Sequence, residues 1–194
     1  MLWKKGKMIS INAWKKLKIK QTELDQVIVE KSPVDLKWSS YSNAERLKLA
    51  LLVEVGEFAN EIKSFKAWRK KPEINWDKAK EELIDCLGYF LGLVGIYRIA
   101  FPPTFFNIEY ESKDLSFNRL LLDFFAKTND LYVEKGEEIY KLKTSKITEK
   151  TQKNYHDWWL IFENICRKLE IDENELMKIY LAKNKINQQR AMQR

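Results

Sequence analysis

The chain has 194 residues, of which 45% are hydrophobic and 13% aromatic, so it is long enough to bury a sizeable core as a globular protein. Six glycines and four prolines are few for this length, which favours long helices joined by few turns. The net charge of +7, from 35 basic and 28 acidic residues, favours a polyanionic partner such as nucleotide phosphates or nucleic acid, with lysines that merely solvate the surface as the alternative.

The cysteines and the apolar runs indicate the cellular compartment of the protein. Cys86 and Cys166 have neither the spacing of a metal site nor the density of a secreted disulfide framework, which indicates a reducing compartment. The basic start lacks the apolar region of a signal peptide, and no apolar run is long enough to span a membrane. We therefore expect a cytoplasmic protein without a membrane partner. A basic amphipathic N-terminal segment resting on a membrane or nucleic acid is the alternative.

The apolar periodicity predicts an all-α fold, a bundle of about six helices in a single domain over residues 1–194. Ser32 and Pro33 end the first helix, Ser42 with Glu45 forms a capping box for the second, and Asp172 caps the last. The predicted helices run from Ile11 to about Glu30, from Ser42 to about Ala67, from Asn75 or Trp76 to about Ile99, from Ser116 to about Lys135, from Thr148 to Leu169, and from Asp172 to the terminus.

The second helix carries two carboxylates within apolar sequence. Glu54 and Glu57 are spaced i, i+3, beside a stripe that includes Leu47, Leu51 and Phe58. Side chains at this spacing lie about 60° apart around a helix. Both glutamates are therefore predicted on or beside the face that should be buried, where an unpaired carboxylate is unfavourable.

The third helix repeats the pattern with Glu82 and Asp85. The short link between the two helices makes them antiparallel neighbours, so that their carboxylate pairs can face each other. An isolated Glu-x-x-Glu is usually a solvated helix face, but two pairs on consecutive apolar helices favour a metal site. Glu61 is a possible further ligand, whereas Glu81 is expected to face solvent.

Oxygen ligands without histidine or cysteine nearby favour Mg²⁺, with Mn²⁺ or Ca²⁺ possible, and disfavour Zn²⁺. Magnesium held by a few carboxylates keeps positions open for waters and phosphates, which suits phosphoryl chemistry. On the last helix, Lys183, Asn187 and Arg190 share a face at i, i+4 and i+7. Such a stripe can bind phosphate and sugar oxygens, and a solvated terminal helix is the alternative.

Several segments together resemble one known family. Glu54-x-x-Glu57 followed by Glu82-x-x-Asp85 is similar to the signature of the all-α nucleoside triphosphate pyrophosphatases, which include MazG proteins, dCTPases and dimeric dUTPases. The segments LLVEVGEFANE, SFKAWRKK, EELIDCLGYFLGL and YLAKNKINQQR, together with Gln21 and Asp25, most resemble the dimeric dUTPases. The resemblance covers most of the chain.

The resemblance implies a helical homodimer that hydrolyses dUTP, and also dUDP, to dUMP with Mg²⁺ and so limits uracil incorporation into DNA. No stable nucleic-acid partner is expected. One of the glutamates of the second helix would also orient or deprotonate the attacking water. By resemblance, the metal ligands are Glu54, Glu57, Glu82 and Asp85, and the substrate-binding residues are Gln21, Asp25, Phe65, Trp68, Lys70, Lys183, Asn187 and Arg190.

Some residues depart from the family pattern, and these departures leave the base specificity and the alternative functions open. The chain has Cys86-Leu87-Gly88 where the family often has Gly-Leu-His, and Ala191 follows Arg190 where a glutamine is frequent. A related pyrophosphatase with another base preference therefore remains an alternative. Others are a basic helical nucleic-acid-binding module with structural acidic pairs and an inactive helical scaffold.

Overall fold

The computed structural model describes residues 9–32, 41–68, 73–99, 115–131 and 149–193. These residues form helices and their connections, without a strand among them, so the predicted all-α fold is confirmed. None of the described helices is long and apolar enough to cross a membrane. The helices are α1 Ile11–Lys31, α2 Tyr41–Ile62, α3 Trp76–Ile96, α4 Phe117–Asp130, α5 Glu149–Lys168 and α6 Glu173–Met192.

Polar side chains cap the N-termini of four of these helices, because each accepts a hydrogen bond from a backbone N–H of the first turn. The acceptors are Ser10 for α1, Asn75 for α3, Ser116 for α4 and Asp172 for α6. The predicted cap at Asp172 is therefore confirmed. The predicted cap at Ser42 is wrong, because α2 already includes Tyr41.

Helix α2 ends five residues before the predicted boundary. Lys63 follows it with φ 57°, in the left-handed region that closes many helices, and its N–H bonds to Ala59 O at 3.0 Å. The predicted extension to Ala67 is therefore wrong. Helices α3 and α4 also end earlier than predicted, at Ile96 and Asp130.

The α2–α3 pair is the centre of the fold, and its helices are antiparallel as predicted. Lys63 near the end of α2 bonds to Glu73 O before α3 at 2.9 Å. At the other end, a methyl group added at Gly92 of α3 would lie 3.2 Å from Leu47 Cδ1 of α2. This close approach brings the carboxylate-bearing turns of the two helices to the same height.

An aromatic core fastens α3, α4 and α5 together. Phe90 stacks on Trp158 with ring centroids 3.9 Å apart, and Trp158 Nε1 donates to Thr128 Oγ1 at 2.9 Å. Burying a ring of this size contributes roughly 2 to 3 kcal/mol. Helix α1 packs on α3 and α6 on the other side, so that α1, α2, α3 and α6 surround a common space.

Candidate active site

Three carboxylates meet where α2 faces α3. Glu54 of α2 and Glu82 and Asp85 of α3 each offer an oxygen, and these oxygens all lie within 4.8 Å of one another. Glu82 is buried, and the other two are half-buried. The predicted juxtaposition of acidic residues from the two helices is therefore present for these three.

The three carboxylates disfavour one another's charge. Burial and, after it, the charges of Asp85, Glu57 and Glu82 together raise the pKa of Glu54 to about 7, against the opposing charge of Lys183. Burial also raises the pKa of Asp85, against the opposing effect of the Lys183 ammonium. Acids that are partly desolvated and mutually repelling gain most from a cation between them.

Two lysines already compensate part of this charge. Lys183 of α6 places Nζ 2.5 Å from Asp85 Oδ2, and Lys78 donates a hydrogen bond to Glu82 Oε1 from the preceding turn of α3. Lys183 is 22% exposed and Lys78 is 48% exposed, so the Lys183 pair is the better shielded from solvent. An ammonium on Asp85 also links α6 to the acidic group.

Glu57 lies apart from the other three acids. Its side chain is exposed, and it does not belong to the three-carboxylate group, although its charge still raises the pKa of Glu54. A step of three residues rotates a side chain by about 60° around the helix, which carries Glu57 off the buried face. Its role as a fourth ligand stays a prediction, and Glu81 is exposed as expected.

A cavity of about 300 Å³ opens beside the acids between α1, α2, α3 and α6. Its size is in the range of small-ligand sites. Its acidic side is formed by Glu54 and Asp85. The other residues that line it are Gln21, Leu24, Asp25, Ile28, Arg46, Leu47, Ile84, Gly88, Tyr89, Tyr180, Lys183, Asn184, Asn187, Arg190 and Ala191.

Buried polar groups form the α1 wall of the cavity. Gln21 Nε2 donates to Asp25 Oδ1 at 2.7 Å, and Gln21 Oε1 accepts from the Tyr180 hydroxyl of α6 at 2.8 Å. Burial raises the pKa of Asp25 to about 8, although the Gln21 hydrogen bond and the Arg46 charge lower it. At neutral pH Asp25 is therefore mostly a neutral acid.

The α6 stripe predicted from the sequence faces this cavity. Lys183, Asn187 and Arg190 all line it, and neighbouring Asn184 fixes the helix by donating to Lys20 O of α1 at 3.1 Å. The cationic and amide groups therefore stand near the acids. A site with both signs of charge can hold a metal ion beside an anionic ligand.

Of the residues predicted in the α2–α3 linker, Phe65 and Trp68 are not among those that line this cavity. Phe65 and Trp68 are 47% and 74% exposed and contact each other edge to face, with ring centroids 6.5 Å apart. Lys70 lies outside the described residues. The contribution of all three to substrate binding stays a prediction.

Arg46, Tyr89 and Tyr180 line the cavity but were not identified from the sequence. Arg46 is steadied by Asn43, whose Oδ1 accepts from Nη2 at 2.6 Å. Tyr180 is one helical turn before Lys183, so the periodicity of the α6 stripe could have included it. Arg46 gave no such signal, because its relation to the cavity depends on how α2 packs.

The chemistry of the donor set agrees with a hard divalent cation. Three carboxylates supply only oxygen, as Mg²⁺, Mn²⁺ and Ca²⁺ prefer, and no histidine or cysteine belongs to this group of described residues. The half-buried position of Glu54 and Asp85 on the cavity wall leaves room for water and ligand oxygens. The site can therefore bring a metal ion and a phosphate-bearing molecule together.

Comparison with known proteins identifies a matching family. A family model described as dUTPase matches residues 13–194, a span that includes every side chain of the acidic group and of the cavity. A search of curated proteins gave no match.

Proposed function

This chain belongs to the dUTPase family and is a dUTP diphosphatase, and we propose that it hydrolyses both dUTP and dUDP to dUMP with Mg²⁺ as its metal. For dUTP the second product would be pyrophosphate, and for dUDP inorganic phosphate. The observation that carries the proposal is the meeting of Glu54, Glu82 and Asp85 on the wall of a cavity that also holds cations and amides. Removal of these nucleotides would limit uracil incorporation into DNA, in the cytoplasm.

We propose that Glu54, Glu82 and Asp85 hold the metal, with Glu57 as a further ligand. Mg²⁺ supplies charge neutralisation for phosphate oxygens and lowers the pKa of bound water, and Mn²⁺ is a possible substitute. Burial and mutual repulsion, which together raise the pKa of Glu54, support a cation at this position. The charge of the exposed Glu57 also raises the pKa of Glu54, which supports its assignment as a further ligand.

A glutamate of α2 would take the proton of the attacking water. Glu54 lies on the cavity wall, where a carboxylate can orient a water by accepting its hydrogen. Glu57, on the next turn and open to solvent, can pass that proton to bulk water. The assignment of the catalytic role rests on the position of Glu54 on the cavity wall and, for both glutamates, on the family resemblance.

The remaining cavity residues would bind either the phosphates or the nucleoside of the substrate. Lys183 and Arg190 of α6, which line the cavity, would bind phosphate oxygens, and Arg46 adds a third cation at the α2 side. Charge-assisted hydrogen bonds of this type are stronger than neutral ones. Gln21, Asp25 and Asn187 would contact the nucleoside through amide and carboxyl groups.

We also propose a homodimer, supported by an apolar face of α2. Leu49 is 64% exposed and Val53, one turn later, is 51% exposed, and neither is covered by the described helices. A second copy of the chain would bury this face. The exposure of Phe65 and Trp68 fits residues that close a pocket belonging to the partner copy.

The test is a hydrolysis assay of purified protein with dUTP, dUDP, dCTP, dTTP and dATP, with Mg²⁺, with Mn²⁺ and with chelator. We expect dUMP from dUTP and dUDP, and loss of turnover with chelator. Glu82→Gln should abolish turnover, whereas Glu81→Gln should not, because the adjacent Glu81 is exposed and outside the acidic group. Metal-independent turnover would contradict the proposal, and preference for dCTP would indicate a different base specificity.

A further inference from the structure

The hydroxyl of Tyr180 and the amide of Gln21 form a buried link between α6 and α1. Gln21 is 6% exposed and Tyr180 is 3% exposed, and the hydroxyl lies 2.8 Å from Gln21 Oε1 and 3.4 Å from Leu17 O. A phenol hydroxyl has one hydrogen to donate. The shorter distance assigns that hydrogen to Gln21 Oε1, because hydrogen bonds weaken with length.

The other end of the amide is held as well. Gln21 Nε2 donates to Asp25 Oδ1 at 2.7 Å, so the oxygen of the amide faces Tyr180 and the nitrogen faces Asp25. In the flipped amide, the hydroxyl would have to accept from Nε2 and turn its hydrogen to Leu17 O at 3.4 Å. The hydroxyl therefore favours one orientation of the amide over the other.

This orientation determines what the amide offers to a base in the cavity. Gln21 lines the cavity, and the second hydrogen of Nε2 is not used by Asp25. Uracil carries a carbonyl oxygen at the position where cytosine carries an amino group. The Nε2 donor of Gln21 can bond to the carbonyl oxygen of uracil. Opposite the amino group of cytosine it would face a second donor, and a buried polar group left unpaired costs free energy.

We propose that Tyr180 is a positioning residue that fixes the Gln21 amide as a hydrogen-bond donor toward the base, and that this fixed orientation selects uracil over cytosine. The inference rests on the proposed function, because it takes the base to bind against Gln21. It assigns Tyr180 no contact with the reacting phosphates. Its effect should therefore fall on the choice between nucleotides more than on the rate of hydrolysis.

The experiment measures kcat/KM for dUTP and dCTP with wild type and Tyr180→Phe, which removes only the hydroxyl. We expect the dUTP to dCTP ratio to fall by about tenfold or more, since one hydrogen bond is worth roughly that factor, while kcat for dUTP changes little. Tyr155→Phe, which removes a buried hydroxyl from a residue outside the cavity lining, is the matched control. It should leave the ratio unchanged.

A double-mutant cycle separates positioning from a general packing effect. In a Gln21→Ala background the Tyr180→Phe change should no longer alter the ratio, because the amide that it orients is gone. A ratio that is unchanged in Tyr180→Phe, or that still changes without Gln21, would overturn the inference.

Two further measurements keep these outcomes distinct. Should Tyr180→Phe fail to fold, Gln21→Glu keeps the hydroxyl and replaces the donor with an acceptor, so it should also lower the ratio; an unchanged ratio would overturn the inference. Wild type that fails to hydrolyse dUTP, or that prefers dCTP, would refute the base assignment of the proposed function as well. Wild type that prefers dUTP, combined with an unchanged ratio in Tyr180→Phe, would refute only the role of Tyr180.

Discussion

Lys183 Nζ of α6 lies 2.5 Å from Asp85 Oδ2 of α3, so one ammonium both joins the two helices and neutralises an acid of the proposed metal group. The pair is largely shielded, with the two side chains 22% and 16% exposed, and screening by solvent is correspondingly reduced. A metal ion among the same acids would also neutralise the charge of Asp85. The ammonium would then be available to a phosphate on the cavity side.

Lys183→Met is expected to destabilise the metal-free protein and to make its folding stability depend more strongly on metal. Loss of a charged hydrogen bond to Asp85 should lower the free energy of unfolding by about 2 kcal/mol, and added Mg²⁺ should restore more stability to the variant than to wild type. Thermal unfolding with and without Mg²⁺ measures this difference. Lys185→Met, an exposed neighbour on α6, is the control, and an equal response of the two variants to metal would contradict the prediction.

Glu54→Gln and Glu57→Gln test how the two glutamates of α2 share the chemistry. We expect Glu54→Gln to lower kcat/KM for dUTP by about 1,000-fold, corresponding to about 4 kcal/mol. It should also raise the thermal stability of the metal-free protein, because one of the mutually repelling acids is removed. Glu57→Gln should abolish turnover as well but leave metal-free stability nearly unchanged, since this side chain is exposed. Full activity of the Glu57 variant would remove it from the ligand set.

Val53→Lys tests the apolar face of α2. An ammonium at this 51% exposed position costs little in a monomer but opposes burial against a second copy. We expect wild type to sediment as a dimer and Val53→Lys as a monomer, at equal helix content. Ile19→Lys, which changes a 58% exposed residue on α1, should remain dimeric. A monomeric wild type would refute the homodimer.

Glu163 should make stability depend on pH. It is buried in α5, and Arg167 Nη2 is 3.8 Å from Oε2. Burial raises its pKa from 4.5 to about 7 despite the opposing effects of a hydrogen bond with Trp159 and of the Arg167 charge. Because the folded state holds the proton more tightly, this contribution to stability is full below pH 4.5 and is lost as pH rises through about 7.

Glu163→Gln removes that dependence. Relative to wild type, the variant should gain up to about 3 kcal/mol of unfolding free energy between pH 4.5 and 8, from a difference of about 2.5 pKa units. Denaturant unfolding across this range provides the measurement, and Glu30→Gln, at an exposed position, should give a curve parallel to that of wild type. Parallel curves for Glu163→Gln would show that Glu163 has an ordinary pKa in the folded protein.

Hydrophobic periodicity predicted the helices well because each buries an apolar stripe, but it predicted the residues at which they begin and end less accurately. The stop at Lys63 depends on a left-handed backbone in a residue that is not glycine, and no local pattern marks it. Ser42 with Glu45 has the spacing of a capping box, yet the helix begins before it.

The acidic group could be predicted because Glu82 and Asp85 share their buried face with apolar residues. On α2, Glu54 belongs to this group whereas Glu57 is exposed, and the same i, i+3 spacing in the sequence does not distinguish the two. Lys183 on Asp85 and Tyr180 on Gln21 join residues that are far apart in the chain. Such contacts depend on how the helices pack, which a single sequence does not specify.

The link between Tyr180 and Gln21 spans 159 positions, whereas Glu54 and the acids of α3 belong to consecutive helices. Closing a long loop costs more chain entropy than forming a local helix pair, and contacts between distant segments tend to form late in folding. The acidic group therefore needs only the α2–α3 pair, whereas the cavity beside it is complete only when α1 and α6 are also in place.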